Sequence, residues 1–348
     1  MAMLRYVLAG LAAIVVSLVL VPLVMKLGVR LGIVDRPNER KIHNGEIPRV
    51  GGIAIYAGFM AGLLILGNFS EQVISLIIAV TIIVGVGFWD DAKDLHPVAK
   101  LSAQVIAALI VIQGGIIVEF FTNPITGGLV SLGVFSVPLT VLWLVGISNA
   151  INLIDGMDGL SSGVCIISAI TIGVINFLEG AALTGGIAVV LAASTLGFLR
   201  YNFPPAKIFM GDCGSLTLGF ILGSLSIMGF SKGATIISVF VPILILGIPI
   251  LDTFGAIVRR SISHKPIFEA DKGHLHHRLL NMGFSQKQVV LIVYLITFLL
   301  GLAAILMSLL TTPQAVVILM IVTVLVSIGI RKIGVFKPLS SAKLRKDQ

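Results

Sequence analysis

The sequence predicts an all-α polytopic membrane protein, and three observations carry that prediction. Hydrophobic residues make up 57% of the 348, while charged residues make up 11%. A soluble domain carries roughly 25% charged residues, so this chain is built to be solvated by lipid. Mean hydropathy is +1.09, and apolar runs near the roughly 20 residues that cross a hydrocarbon core recur from end to end.

Eleven such runs are legible, at about 4–28, 50–68, 73–89, 99–118, 137–152, 159–178, 182–199, 214–230, 234–258, 288–310 and 313–330. The first is too long for a signal peptide, has only Arg5 ahead of it and lacks a small-residue cleavage site, so it reads as a span. The stretch 120–137 alternates around Gly127-Gly128 and predicts a small outer β-hairpin. Residues 1–330 read as a single integral-membrane domain and 331–348 as a basic tail.

Lys and Arg accumulate in cytoplasmic loops, which fixes the orientation. Numbering the loops alternately puts 22 of the 24 Lys and Arg residues on one side, leaving Arg5 and Lys232 on the other. The N-terminus is therefore expected outside and the C-terminus in the cytoplasm. A second asymmetry is independent of that assignment. All six histidines fall on the inner side, and Glu71, Glu119 and Glu179 are the only acids outside among 16. Chemistry belongs to the cytoplasmic face. The net charge of +8 has no soluble basic domain to carry it, which excludes a nucleic-acid role. Cys165 and Cys213 suggest neither a disulfide nor a zinc framework.

Three inner segments carry acids at membrane depth. In GFWDDAKDLHP, Asp90, Asp91 and Asp94 follow directly on apolar residues, with Asp90 and Asp94 expected on one helix face. Adjacent carboxylates there repel unless a cation joins them; a solvated helix end is the alternative. In NAINLIDGMDGL, Asn149, Asn152 and Asp155 recur every third residue and line one side of a helix. Gly156 and Gly159 then allow the chain to bring Asp158 back toward that side. Such oxygens suit Mg²⁺, although Asn and Asp also cap helices and make turns. In FPPAKIFMGDCGS, Gly211 and Gly214 flank Asp212 ahead of Ser215. This turn can present backbone N–H groups to a phosphate while Asp212 holds a metal.

The basic complement lies in two loops. One supplies Arg36, Arg40, Lys41, His43 and Arg49, and the other supplies His274, His276, His277 and Arg278. Beside acidic metal loops, Arg and His fit a diphosphate clamp. Zinc is the rival for the histidines, without ligand spacing to support it. Lys337, Lys343, Arg345 and Lys346 read as topology signals. Asp252, the most membrane-embedded acid, lies about two turns before Arg259 and Arg260. It needs a partner or an aqueous cavity, and structural pairing and a site role stand equal.

Taken together, RKIH…PRVGG at 40–52, DDAKD at 90–94, NAINLIDGMDGL at 149–160, MGDCGS at 210–215, PILDT at 249–253 and HLHHRL at 274–279 resemble one family. It is the bacterial polyprenyl-phosphate N-acetylhexosamine-1-phosphate transferases, matched in order from about residue 30 to 280. The resemblance implies UDP-N-acetylglucosamine as donor, undecaprenyl phosphate as acceptor, UMP as product and Mg²⁺ as cofactor, with Mn²⁺ as its substitute. It implies Asn152 and Asp212 as metal ligands, and Asp90, Asp91, Asp155 and His276 as catalytic candidates. Arg40, His43, Arg49, Asp94, Asn149, Asp158, Lys207, His274, His277 and Arg278 become substrate-binding candidates. Phospho-MurNAc-pentapeptide translocase is the related alternative, but PRVGG and HLHHR favour the N-acetylhexosamine branch. The rival from another class is an ion-coupled transporter, which predicts acids in mid-span and a route open to both sides. Only Asp252 approaches that description. Gly58 and Gly62, four apart, can pack helices within the chain or between two chains of a homodimer.

Overall fold

The architecture comes from a computed structural model that describes residues 2–35, 45–122, 128–230, 237–264 and 273–336. Its helices are α1 (Ala2–Leu31), α2 (Gly52–Leu66), α3 (Glu71–Lys93), α4 (Pro97–Gln113), α5 (Ser136–Ile154) and α6 (Leu160–Leu178). There follow α7 (Ala182–Asn202), α8 (Gly211–Phe230), α9 (Ile237–Ile245), α10 (Gly247–Ile262), α11 (Leu275–Asn281), α12 (Gln286–Leu309) and α13 (Thr312–Ile333). Two antiparallel ribbons complete the described residues. β1 (Val34–Asp35) pairs with β2 (Ile47–Pro48), and β3 (Phe120–Thr122) pairs with β4 (Leu129–Ser131). The second ribbon is the hairpin expected around Gly128; the first has no alternation long enough to read.

Each apolar run of the sequence falls on one helix or, in one case, two. Among the described residues eight helices are long and apolar enough to cross a membrane. The expectation of about eleven spans differs from this count at three runs. α2 and α4, of 15 and 17 residues, are shorter than those eight helices. The run 234–258 is broken into α9 and α10. Pro242 sits inside α9 and removes a donor, and Gly247 opens α10.

Lipid is as apolar as leucine, so helices here associate through close packing rather than hydrophobic transfer. α8 is the central helix, with 89% of its apolar window buried, while α13 has 6% buried and lies outermost. α3 and α5 pack on α8, and α1 packs on α2 and α7. Gly58 and Gly62 serve this packing inside the chain. A Cβ on Gly58 would stand 2.6 Å from Ala13 O, and one on Gly62 would stand 2.4 Å from Val190.

Several hydroxyls in the bundle bond within their own helix or tie two helices together. Thr140 and Thr217 bond to carbonyls four residues back. Ser148 Oγ donates to Leu216 O at 2.7 Å, joining α5 to α8.

The closest helix approach positions the site. A Cβ on Gly52 would stand 2.2 Å from Gly214 N, and one on Gly87 would stand 2.4 Å from Cys213 Cα. Glycine at both positions lets α2 and α3 press their ends onto the start of α8. The PRVGG segment runs beside residues 209–210 as a backbone ladder, with Phe209 N to Pro48 O at 2.8 Å and Gly52 N to Met210 O at 2.9 Å.

Candidate active site

Three sequence segments meet where α3 ends and α8 begins. Asp91 is buried, and its carboxylate accepts from Asp212 N at 2.8 Å and Cys213 N at 3.0 Å. It thus caps the positive end of α8, a favourable place for an anion. The turn expected to offer those N–H groups to a phosphate has given them to Asp91 instead. Arg49 Nη2 lies 3.6 Å from the same carboxylate.

Asp90 accepts from Leu95 N at 2.8 Å through Oδ1 and from Lys100 Nζ at 3.0 Å through Oδ2. Lys100 Nζ also reaches Asp212 Oδ2 at 3.1 Å, so one ammonium bridges two carboxylates from distant segments. Asp212 Oδ1 accepts from Asn152 Nδ2 at 3.0 Å, and Asn152 Nδ2 also donates to Ser215 Oγ at 2.9 Å. Asp90, Asp212, Asn152 and Lys100 therefore form one connected group.

Asn149 lies one turn earlier and donates to the buried Gln104 Oε1 at 2.6 Å, tying α5 to α4. Asp155 ends α5 and accepts from Ser161 Oγ. Desolvation, with repulsion from Asp212, Asp91 and Asp158, pushes its carboxyl well above the ordinary value. Gly159 adopts φ +71°, which a side chain rarely adopts, so the chain does turn where expected. Asp158 turns away to accept from Ala206 N at 2.9 Å, toward the 203–206 segment and not the asparagine side. Asn202 secures this loop by accepting from Gly159 N at 3.1 Å and Ser162 Oγ at 2.7 Å.

The histidine segment is anchored by Asp252. Its carboxylate meets His274 Nδ1 at 2.8 Å and Leu275 N at 2.7 Å, which answers its need for a partner without Arg259 or Arg260. His276 is 3% exposed, and among the described residues its Nε2 has no hydrogen-bond partner. The ring packs against Gly156, where a Cβ would stand 3.0 Å from that nitrogen. Burial first, then the neighbouring His277, pushes its pKa down to about 3, so the imidazole is neutral. The His276 and His277 ring centroids are 4.3 Å apart. Arg278 is buried and donates from Nε to Gly273 O at 2.8 Å. His274, His276 and Arg278 are buried here, and His277 is half-buried.

Two sequence candidates stand apart. Asp94 does not share a helix face with Asp90; it ends α3 with φ 47° and is exposed, because Asp90 takes the following Leu95 N–H. Lys207 is exposed and lines a groove beside α1 and α7. Arg40 and His43 lie outside the described residues. Lys100 is the functional residue that sequence reasoning misses, since the charge count absorbs it as an orientation cation. Its signal is local. Pro97 and the His96 cap start α4, and a cation in the first turn opposes the helix dipole and calls for a carboxylate.

Comparison with known proteins decides the family. Residues 73–230 match the family described as glycosyl transferase family 4. Over 341 residues the chain is 40% identical to a Bacillus subtilis (strain 168) protein, covering 97% of this chain and 95% of the relative. That relative is named "Probable undecaprenyl-phosphate N-acetylglucosaminyl 1-phosphate transferase". The chain belongs to glycosyl transferase family 4. A Mycobacterium leprae (strain TN) member, named decaprenyl-phosphate N-acetylglucosaminephosphotransferase, is 36% identical over 318 residues, 83% of this chain and 80% of its own. An Escherichia coli O157:H7 member, named undecaprenyl-phosphate alpha-N-acetylglucosaminyl 1-phosphate transferase, is 30% identical over 289 residues, 79% of this chain and 77% of its own. This family member is a multi-pass membrane transferase, and the family match spans α3 to α8, the helices that build the acidic group.

The donor set of that group fits Mg²⁺. Asp212 and Asp90 offer hard carboxylate oxygens, Asn152 has an amide oxygen beside the nitrogen it turns to Asp212, and Lys100 shows that the two carboxylates already gather a cation. Among the described residues no cluster of three or more His, Cys, Asp or Glu is arranged to hold a metal. The remaining ligands would come from water and substrate phosphate, as Mg²⁺ prefers. Mn²⁺ shares that preference for oxygen.

Proposed function

We propose that this chain transfers N-acetylglucosamine-1-phosphate from UDP-N-acetylglucosamine to undecaprenyl phosphate at the cytoplasmic face of the bacterial inner membrane. UMP is released, and the product is the first lipid-linked sugar of an envelope polysaccharide. The observation that carries the reading is the Asp90–Lys100–Asp212–Asn152 group, which joins three segments at one end of the bundle. The names of relatives that match nearly the whole chain support the substrates.

Both reactants are anions, so the protein's main work is neutralisation and positioning. Asp212 and Asn152 would hold Mg²⁺, which when bound would supply charge neutralisation to the donor diphosphate. In the proposed displacement a lipid phosphate oxygen bonds to the donor's β-phosphorus. The bond from that phosphorus to the α–β bridging oxygen breaks, and UMP leaves with that oxygen. The acceptor's second phosphate pKa is near 6, so it is largely ionised at neutral pH. Asp90 therefore orients the acceptor and its Lys100 counter-charge rather than serving as a strong base. Asp91 holds the start of α8, and with it Asp212, in place. His276 presents a neutral ring to the Gly156 loop.

The test is purified protein with radiolabelled UDP-N-acetylglucosamine and undecaprenyl phosphate. Chelator-sensitive formation of a labelled lipid with equimolar UMP is expected, and no lipid product under any divalent metal would sink the reading. A phosphorylated enzyme trapped with donor alone would replace the single displacement by an aspartyl-phosphate route. The transporter alternative needs a free acid in mid-span, and Asp252 is taken up by His274 and Leu275.

A further inference from the structure

Outside the acidic group, a groove of about 620 Å³ opens where the middle of α1 meets the inner end of α7. Its walls are apolar, with Leu18, Leu196 and Phe203 exposed at 38%, 47% and 36%. Arg200 and Lys207 line the same groove, both exposed, and among the described residues no acid lines it. Tyr201, half-buried, completes the polar rim.

A lipid-facing wall beneath a pair of cations is a specific combination. A free phosphate would use the cations and leave the apolar wall unused, and a neutral lipid would do the reverse. The volume also exceeds what one phosphate fills. Basic pockets between helices at the cytoplasmic side of a membrane suit anionic lipid headgroups, and an aromatic hydroxyl at that depth is typical of the interface. The geometry points to a binding site for an anionic phospholipid of the bilayer. Arg200 and Lys207 meet its phosphate, and Leu18, Leu196 and Phe203 meet its acyl chain.

The groove shares a turn with the active-site loop. Phe203 and Pro204 line it on one side. On the other side Ala206 N donates to Asp158 at 2.9 Å, and a Cβ on Gly159 would meet Pro204 Cδ at 3.3 Å. Lipid bound on the outer side of the turn therefore braces the loop that carries Asp155 and Asp158. The site rests on the fold and on the membrane orientation, not on the transferase reading, so either can fail without the other.

The test uses the full chain, purified and exchanged into phosphatidylcholine nanodiscs with or without phosphatidylglycerol, then released for native mass spectrometry. Wild type and the distant control Lys332→Ala are expected to retain one phosphatidylglycerol in preference to phosphatidylcholine. Each cation near an anionic lipid contributes about fivefold in affinity, so Arg200→Gln with Lys207→Gln should weaken retention roughly 25-fold. Should the double variant not purify, each single variant is expected about fivefold weaker. Equal retention by wild type and variant would overturn the site, as would equal retention of the two lipids. Displacement by glycerophosphate would convert it to a soluble phosphate site, and stoichiometric displacement by undecaprenyl phosphate would make it an acceptor site; either result overturns the proposal.

Discussion

The acidic group and the histidine segment are both assembled from motifs far apart in the chain, yet they handle charge in opposite ways. At the junction of α3, α5 and α8, three carboxylates are kept together by Lys100, Arg49, Asn152 and the N-terminal amides of α8. In the histidine segment Asp252 is spent on fixing a loop through His274 and Leu275, and the nearby His276 ring is buried and neutral. The first region concentrates charge for a polyanionic substrate. The second supplies shape and a neutral nitrogen beside the Gly156 loop. The proposed phosphate site draws on both, and the two should fail differently.

Asp212→Asn should show the largest effect. It removes charge from the centre of the group, and losing one preorganised electrostatic partner costs about 10²–10³-fold in rate. Lipid-product formation should fall at least that far while thermal stability changes little. A near-normal rate would break the comparison at its root. Asp252→Asn acts at one remove, through His274, and outer partners of this kind are worth about 10–100-fold. Its loss should appear in transfer rate with divalent-metal affinity unchanged. If metal affinity falls equally, the two regions are one unit.

Lys100→Met sharpens the distinction inside the acidic group. Removing the resident ammonium, whose pairs are part-buried, should tighten Mn²⁺ binding by roughly fivefold, about 1 kcal/mol, the upper end for screened pairs, while transfer slows. Weaker Mn²⁺ binding would show instead that Lys100 builds the cation site.

The smallest effect concerns pH. His276 folds with its pKa pushed down to about 3, whereas an unfolded histidine titrates near 6.5. The sign follows from linkage. Above about pH 6.5 both states are neutral and the contribution is fully present. Below it the unfolded state takes up a proton that the folded state refuses, and stability falls as pH drops toward 3. The slope from this one group is at most about 1.4 kcal/mol per pH unit. His276→Phe should flatten the decline of Tm between neutral pH and pH 5, and an unchanged slope would remove His276 from the neutral role.

Much of the fold is legible in the amino-acid sequence. The apolar runs mark every long helix, and Pro242 and Gly247 stand in plain view inside the one run that breaks. The acids announce themselves because charge at membrane depth demands compensation. What the sequence hides are partners. Asp91 looks like a second reactive acid beside Asp90, but its bonds go to backbone amides about 120 residues away, which no local pattern displays. Lys100 is hidden differently, since topology already accounts for it. The burial of His274, His276 and Arg278 is hidden as well, because sequence shows charge type and not packing.

Asp212 belongs to a cation-centred phosphate site and Asp252 does not; that is the central claim. Electron paramagnetic resonance of Mn²⁺ added to the purified protein with UDP-N-acetylglucosamine tests it most directly. A bound-Mn²⁺ spectrum is expected for wild type and Asp252→Asn, and its loss is expected in Asp212→Asn. Retention of that spectrum by Asp212→Asn, at wild-type affinity, would contradict the claim.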